Sequence, residues 1–199
     1  MARKLNYPFT AAQIADLRAG ERVTVSGLVL TGRDCVHRYL AEGGAAPRDL
    51  TDAALYHCGP VIARQDGKWL VRAAGPTTSL RQEPYLARLL ERHRVRVLIG
   101  KGGMGEQTRE ALRRHGCVYL QAVGGAAGVL AACVENVGAV YFLKEFGPAE
   151  AMWELTVKDL EAIVTMDAAG RSLHERVRAA SKRALRRILA GRRGRRAAS

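Results

Sequence analysis

Three glycine-containing turns in the middle of the chain carry residue types that could bind an anion. The first is Gly75-Pro76-Thr77-Thr78-Ser79-Leu80-Arg81, between a predicted strand and a helix predicted over Leu80–His93. Gly and Pro favour a turn, and hydroxyl side chains suit the N-cap of a helix. Because a helix N-terminus disfavours cations, an arginine in its first turn indicates that a carboxylate or phosphate binds there.

The second turn, Gly100–Gly105, matches the G-x-G-x-x-G pattern of dinucleotide-binding loops. Such loops use an acidic residue about 20 positions later to hold the ribose. The next predicted strand ends at Leu120-Gln121-Ala122 and has no carboxylate there. Lys101 inside the loop instead indicates charge pairing with an anion. A nucleotide site and a plain tight turn with a solvated lysine remain open alternatives.

The third turn, Gly124–Gly128, and the segment Thr31-Gly32-Arg33-Asp34 each follow another predicted strand. Strands that alternate with helices are expected to pair in parallel. The carboxyl ends of parallel strands share one edge of a sheet, where ligands bind. We therefore expect Arg33, Arg81 and Lys101 to converge. Two guanidinium groups and one ammonium group suit a dicarboxylate.

Histidines and cysteines add little to this predicted site. His37 lies one helical turn beyond Arg33 and could face the site, whereas His57 is typical of a core histidine. The cysteines contain no C-x-x-C pair and are widely spaced, so they predict reduced thiols with no metal site; they are Cys35, Cys58, Cys117 and Cys133. Without a metal, cofactor or strong base of its own, the predicted site resembles half of an active site.

Charge is distributed unevenly along the 199 residues, which carry a net charge of +13. Residues 171–199 hold +10 of it, which leaves +3 for residues 1–170. We predict a folded domain over residues 1–174 and a basic, helical or disordered tail over 175–199, with disorder from Gly191. No aromatic residue is interleaved with the tail arginines, so a nucleic-acid partner is not expected. The absence of a long apolar run or signal-peptide pattern predicts a cytoplasmic protein without a membrane partner.

Taken together, the motifs resemble the C-terminal domain of class I fumarases and the β subunit of L(+)-tartrate dehydratase. The resemblance runs from about Leu17 to His174. It implies an α/β fold of the swivelling β/β/α type, with strand–turn–helix units and glycine-rich turns on one edge. The blocks that carry it are Thr31–Asp34, Gly75–Arg81, Ile99–Met104, Val123–Ala127 and the segment from Glu145-Phe146-Gly147 to Glu154.

The resemblance also implies roles for individual residues. Thr77 would take part in proton transfer at the carbon next to a carboxylate, with Lys101 as its catalytic neighbour. Ser79 would supply cap and substrate hydrogen bonds. Gln82 departs from the methionine usual in the family, which leaves the substrate open. The residues implied to bind the substrate are Arg33, Thr78, Arg81, Lys101 and Gly102.

The implied activity is that of a hydro-lyase β subunit, most closely fumarate hydratase, which interconverts fumarate and malate. The implied 4Fe–4S cluster belongs to a partner α subunit, so a hetero-oligomer and a C4 dicarboxylate substrate are expected. An L(+)-tartrate dehydratase β subunit and a non-catalytic anion- or nucleotide-binding module are the alternatives.

Overall fold

A mixed sheet of seven strands organises residues 2–196, which a computed structural model of the chain describes. Side chains are described for residues 2–190. In chain order the elements are β1 (Arg3–Asn6), α1 (Ala11–Ala15), β2 (Arg22–Thr31), α2 (Asp34–Ala41), β3 (Ala54–Tyr56), β4 (Val61–Gln65), β5 (Lys68–Ala73), a 3-10 helix (Ser79–Gln82), α3 (Glu83–His93), β6 (Val97–Gly100), α4 (Glu106–His115), β7 (Val118–Ala122), α5 (Ala127–Ala132), β8 (Val134–Tyr141), α6 (Leu143–Phe146), β9 (Met152–Met166) and α7 (Leu173–Arg196).

The sheet closes into a small barrel. Strands β2, β3, β6 and β7 pair in parallel, which confirms the arrangement predicted from the alternation of strands and helices. Strand β9 then pairs antiparallel with both β7 and β2 and completes the ring. Strands β1 and β8 extend it at β2 and β9. The fold is therefore mixed α/β with a barrel, while the finer swivelling β/β/α description stays a prediction.

Alternating side chains of the strands build two hydrophobic clusters, as the period of two in a strand requires. Val97 and Ile99 of β6 belong to the cluster that the strands enclose, together with Trp153 of β9. Leu98, between them in sequence, belongs to the second cluster, where the sheet packs against helices α2, α3 and α4. Both faces of β6 are therefore buried, which fixes its carboxyl end and the turn that follows.

Asp66-Gly67 between two short apolar runs predicts a hairpin, and this is confirmed, because β4 and β5 pair with Gln65 opposite Lys68. Both turn residues have positive φ, as the hairpin turns favoured by Asp-Gly require. The expectation that the strand before Gly75 belongs to the parallel sheet is wrong, since β4 and β5 form a separate two-stranded sheet. The segment Gly75–Arg81 therefore reaches the sheet from a hairpin.

Long-range pairing also corrects several predicted boundaries. The sequence pattern predicts separate strands over residues 153–158 and 161–166, but they form one strand, β9, because β2 pairs with its residues 154–163. The pattern also predicts one strand over residues 139–146, but these residues divide between β8 and α6, with Phe142 at a φ of 61° between them. The pattern after the third glycine turn predicts a helix over residues 129–135, and the helix observed there ends at Ala132.

Helix α7 extends far beyond the sheet. Its first turn is held by His174, whose Nε2 lies 3.1 Å from Oε1 of Gln121, and by an ion pair of 3.2 Å between Glu175 and Arg109. The helix is described as far as Arg196, residues 197–199 lie outside the described part, and the disorder predicted from Gly191 stays a prediction. In residues 2–196 we find no helix with the length and apolar character needed to cross a bilayer.

Deletion of residues 178–199 is expected to change the melting temperature by about 3 °C or less, since 1 kcal/mol shifts it by about 2–4 °C in a chain of this size. The physical reason is that almost all side chains described in the removed segment, up to residue 190, are exposed, Ile188 to 58%. Differential scanning calorimetry checks it. Deletion of residues 173–199, which also removes the His174 and Glu175 contacts, should lower the temperature further. A large loss in the shorter deletion would contradict the predicted domain boundary.

Candidate functional site

The segment Gly75–Arg81 runs along the carboxyl ends of β3 and β6 and is hydrogen-bonded to both. Just beyond β3, Pro76 forms a bridge with Cys58, and the backbone N–H of Thr77 donates to the carbonyl of His57 at 2.7 Å. Beyond β6, the backbone of Thr78 forms an isolated parallel β-bridge with the backbone of Lys101. Thr77 and Thr78, which follow the hairpin β4–β5, therefore lie at the edge where the parallel strands end.

The predicted hydroxyl cap of a helix at this turn is wrong. Residues 79–82 form a 3-10 helix, and Thr78 before it makes no side-chain cap hydrogen bond. The α-helix begins at Glu83, whose carboxylate accepts backbone N–H groups of Gly105 and Thr108 at 2.9 and 3.0 Å and so caps α4 instead. Arg81 lies in the last turn of the 3-10 helix, so the dipole argument for a bound anion there no longer applies.

Each of the two arginines predicted to bind substrate contacts a carboxylate of this chain. Arg81 pairs with Asp34, which also accepts a hydrogen bond from the side-chain amide of Gln82. Nε of Arg33 lies 3.2 Å from Oε1 of Glu150. A guanidinium has five N–H donors, so these pairs orient both groups and leave donors for a ligand. Arg81 is the more accessible, with 54% of its side chain exposed against 24% for Arg33.

Lys101 lies beside this segment and is half-buried. Its aliphatic stem passes over Gly124, where a Cβ would come within 2.9 Å of Cδ of the lysine. Within the described side chains, no carboxylate lies within 4 Å of its ammonium group. The next residue, Gly102, has a φ of +80°, and its carbonyl accepts a hydrogen bond of 2.9 Å from the hydroxyl of Tyr119. The third glycine turn thus borders the lysine, as the shared edge predicts.

Two histidines and a serine form a buried floor below these groups, and all three are fully buried. The rings of His37 and His57 pack edge to face, with centroids 4.8 Å apart. Nδ1 of His37 lies 2.8 Å from the carbonyl oxygen of Arg33, so His37 supports the backbone of Arg33 and does not reach the surface. The hydroxyl of Ser79, predicted to bond the substrate, lies 2.8 Å from Nδ1 of His57.

Burial keeps this floor uncharged. Desolvation lowers the pKa of His37 to about 4 and lowers the pKa of His57 well below its ordinary value, with His37 adding to the second effect. Both rings are therefore neutral at neutral pH. Because a buried neutral layer screens charges poorly, cations that lie above it attract an anion more strongly than they would in water.

His57 is the site residue that sequence reasoning assigned only to the core. The signal for its role is Gly100, whose absent side chain leaves room for polar atoms. A Cβ there would lie 2.9 Å from Nδ1 of His57 and would clash with the hydroxyl of Ser79. A glycine that ends a buried strand indicates close approach by another group.

An iron–sulfur cluster does not fit the described residues of this chain. Cys58 and Cys117 are buried, and burial raises the pKa of each thiol to about 12, which disfavours the thiolate that ligates iron. Within residues 2–196, no three His, Cys, Asp or Glu side chains gather as a metal site would require. An open groove of about 850 Å³ between β5, α5 and β8 lies apart from the residues predicted to act.

Gly100→Ala is expected to destabilise the chain by about 1–3 kcal/mol, the usual cost of overpacking a core. The reason is the clash of the new methyl group with the hydroxyl of Ser79. Gly128→Ala is the matched control, since it lies in α5 with open space around it and should be neutral or stabilising. Urea unfolding measures both, and equal stabilities would show that Gly100 has no packing role.

Stability should fall as the pH drops below 6.5. The native pKa of His37, about 4, is below that of an unfolded histidine, so only the unfolded state gains this proton in that range. Its contribution is complete above pH 6.5 and lost by about pH 4, and amounts to about 3 kcal/mol. His57 acts in the same direction. Urea unfolding from pH 7 to pH 4 should show a weaker pH dependence in His37→Leu than in the wild type. An unchanged slope would contradict a buried neutral ring.

Comparison with known proteins shows the family to which the chain belongs. The family model described as "Fumarase C-terminus" matches residues 2–177. A protein of Geobacillus stearothermophilus with the provisional name fumarate hydratase class I is 49% identical over 178 residues, 89% of this chain. The chain spans only 34% of that relative's length.

Two relatives with subunit names match over most of their own length. The L(+)-tartrate dehydratase subunit beta of Escherichia coli K12 is 33% identical over 175 residues, which are 87% of each chain. A Methanocaldococcus jannaschii protein provisionally named L(+)-tartrate dehydratase subunit beta is 35% identical over 181 residues, 87% of this chain and 93% of the relative. Because the family model matches residues 2–177, nearly all of the described chain, this chain belongs to the fumarase C-terminus family.

Proposed function

We propose that this chain is the β subunit of an iron–sulfur-dependent hydro-lyase that adds water to a C4 dicarboxylate, with fumarate and malate as the first candidates. The observation that carries the proposal is that two hydroxyl residues and three cationic residues lie at one edge of the sheet, where β2, β3 and β6 end. These residues are Thr77, Thr78, Arg33, Arg81 and Lys101. The names of the relatives, fumarate hydratase and L(+)-tartrate dehydratase, support the class of reaction.

The cationic residues hold the substrate in this proposal. Arg81 and Arg33 each bind a carboxylate through the guanidinium donors that Asp34 and Glu150 leave free, because guanidinium and carboxylate match as bidentate partners. The ammonium group of Lys101 adds a further positive point charge. Thr78 and the backbone of Gly102 complete the polar surface. The backbone of Thr78 pairs with that of Lys101, and Gly102 follows Lys101 in sequence.

Thr77 moves the proton at the carbon next to a carboxylate. The carbonyl of His57 accepts its backbone N–H, and the backbone of its neighbour Thr78 pairs with that of Lys101, so Thr77 lies next in sequence to the residue that pairs with the lysine. A threonine hydroxyl is a weak base, and it acts only where nearby cations stabilise the alkoxide. The neutral floor strengthens that stabilisation, because it holds no competing positive charge.

A partner α subunit completes the site. The 4Fe–4S cluster expected in this class of enzyme would supply the Lewis acid that activates the hydroxyl or water, and the described residues of this chain offer no place for it. Thr78 and Arg81 are exposed at the edge, open to a covering chain. The two relatives with subunit names, matched over 87% and 93% of their length, support a separate partner and a hetero-oligomer.

L(+)-tartrate is the second candidate substrate, because the subunit relatives carry that name. The nucleotide-binding alternative loses support at the end of β7. The position that would hold an acidic ribose ligand is Gln121, and its side chain is bonded to His174. Assays of the reconstituted pair with fumarate and with L(+)-tartrate separate the two substrates.

Arg81→Ala should lower kcat/KM for the preferred substrate by about 10²-fold or more, since a positioned cation at a charged group contributes about 3 kcal/mol. The chain is co-expressed anaerobically with its α partner, and fumarate hydration and tartrate dehydration are followed spectroscopically. Arg88→Ala is the control, because Arg88 is an exposed arginine of α3. It should retain wild-type activity. Full activity in Arg81→Ala would refute the assigned role.

A further inference from the structure

His57 is hydrogen-bonded to two segments at the edge of the sheet, strand β6 and the segment Gly75–Arg81. Its backbone N–H donates to the carbonyl of Ile99 in β6 at 2.7 Å, and its own carbonyl accepts the N–H of Thr77 at 2.7 Å. Its Nδ1 lies 2.8 Å from the hydroxyl oxygen of Ser79. One buried residue therefore connects β6 to both ends of the segment that carries the threonines.

Ser79 continues these connections to the lysine turn. Its hydroxyl oxygen accepts the backbone N–H of Lys101 at 3.0 Å, and its own N–H donates to the carbonyl of Lys101 at 3.1 Å. Backbone and side chain of Ser79 thus both bind the residue that carries the ammonium group. Because Ser79 is fully buried, these bonds are shielded from exchange with water.

The space for this arrangement exists only because residue 100 is a glycine. Any Cβ there would overlap the hydroxyl of Ser79 and approach Nδ1 of His57. The glycine, the serine and the histidine therefore form one unit at the carboxyl end of β6. An apolar residue at position 57 could fill the volume but could not bond the serine hydroxyl.

We propose that His57 and Ser79 are a buried positioning pair that sets the placement of Thr77 relative to Lys101, and thereby of the proton-transferring hydroxyl relative to the ammonium group. The inference rests on the proposed function, because it gives these two residues the roles stated there. Neither His57 nor Ser79 touches the substrate. The pair acts through the backbones of Thr77 and Lys101, and a misplacement of about 1 Å at a reacting group can cost about 10²-fold in rate.

Amide hydrogen exchange of the chain alone tests the structural half of the inference. In Ser79→Ala the N–H of Lys101 loses its acceptor, so it should exchange at least about tenfold faster, measured by nuclear magnetic resonance. The N–H of Thr108, which Glu83 accepts, is the internal reference and should not change. Unchanged protection at Lys101 would overturn the pair.

Steady-state kinetics of the α–β complex test the catalytic half. Ser79→Ala and His57→Leu should each lower kcat by about 10- to 100-fold with KM within about threefold of the wild type, as expected for misplaced groups. His57→Asn is the rescue variant, because an amide on Cγ places a polar atom where Nδ1 lies. It should retain most of kcat. Thr165→Val removes another buried hydroxyl, which donates to the carbonyl of Tyr119 at 3.4 Å, and should leave kcat unchanged.

The outcomes separate this inference from the proposed function. An active wild-type complex with unchanged kcat in Ser79→Ala overturns the inference alone. A rise in KM without a fall in kcat also overturns it, because it would mean direct substrate contact. Equal losses in Thr165→Val and Ser79→Ala would reduce the effect to general stability. A wild-type complex inactive on both fumarate and tartrate refutes the proposed function and the catalytic half, while the exchange experiment still decides whether the pair holds Lys101.

Discussion

The antiparallel pairing of β9 with both β2 and β7 is the constraint on which the rest of the structure depends. It closes the parallel strands into a ring, so that their carboxyl ends face one side. Closure also buries both faces of the central strand β6, whose residues 97–100 are all buried. The turns after β2 and β6 then have little freedom, and the hairpin β4–β5 can place its threonines against them.

The electrostatics of the site follow from that burial. Arg33, Arg81 and Lys101 lie at the edge, and two of them are oriented by carboxylates of the same chain. Beneath them, His37 and His57 stay neutral because desolvation opposes their protonation. In the proposed function, these oriented positive groups over a neutral layer would need little reorientation when a dianion binds. Protonation of the same two histidines would also lower the stability of the fold, because both rings are buried in their neutral form.

Much of the local structure could be predicted from residue types. Thr10 caps α1 by accepting the N–H of Gln13, and Gly116 ends α4 in a left-handed conformation, as their positions indicate. Asp66-Gly67 predicted its hairpin correctly. These signals act over a few residues, so neighbours in sequence are sufficient to determine them. The predicted cap at Thr78 was wrong, because residues 79–82 form a 3-10 helix. Its last residue, Gln82, donates a hydrogen bond to Asp34, which is distant in sequence, and Glu83 caps α4.

The sequence by itself determined which groups could do chemistry and that the turns carrying Arg33 and Lys101 follow parallel strands. Only the tertiary structure decided that β5 lies outside the main sheet, that β9 is one strand, and that His57 and Ser79 lie beneath the site. The physical reason is range. Turn and capping preferences are local free energies, whereas strand partners and buried hydrogen bonds depend on residues such as Gly100 and Ser79, which meet only after the barrel has closed.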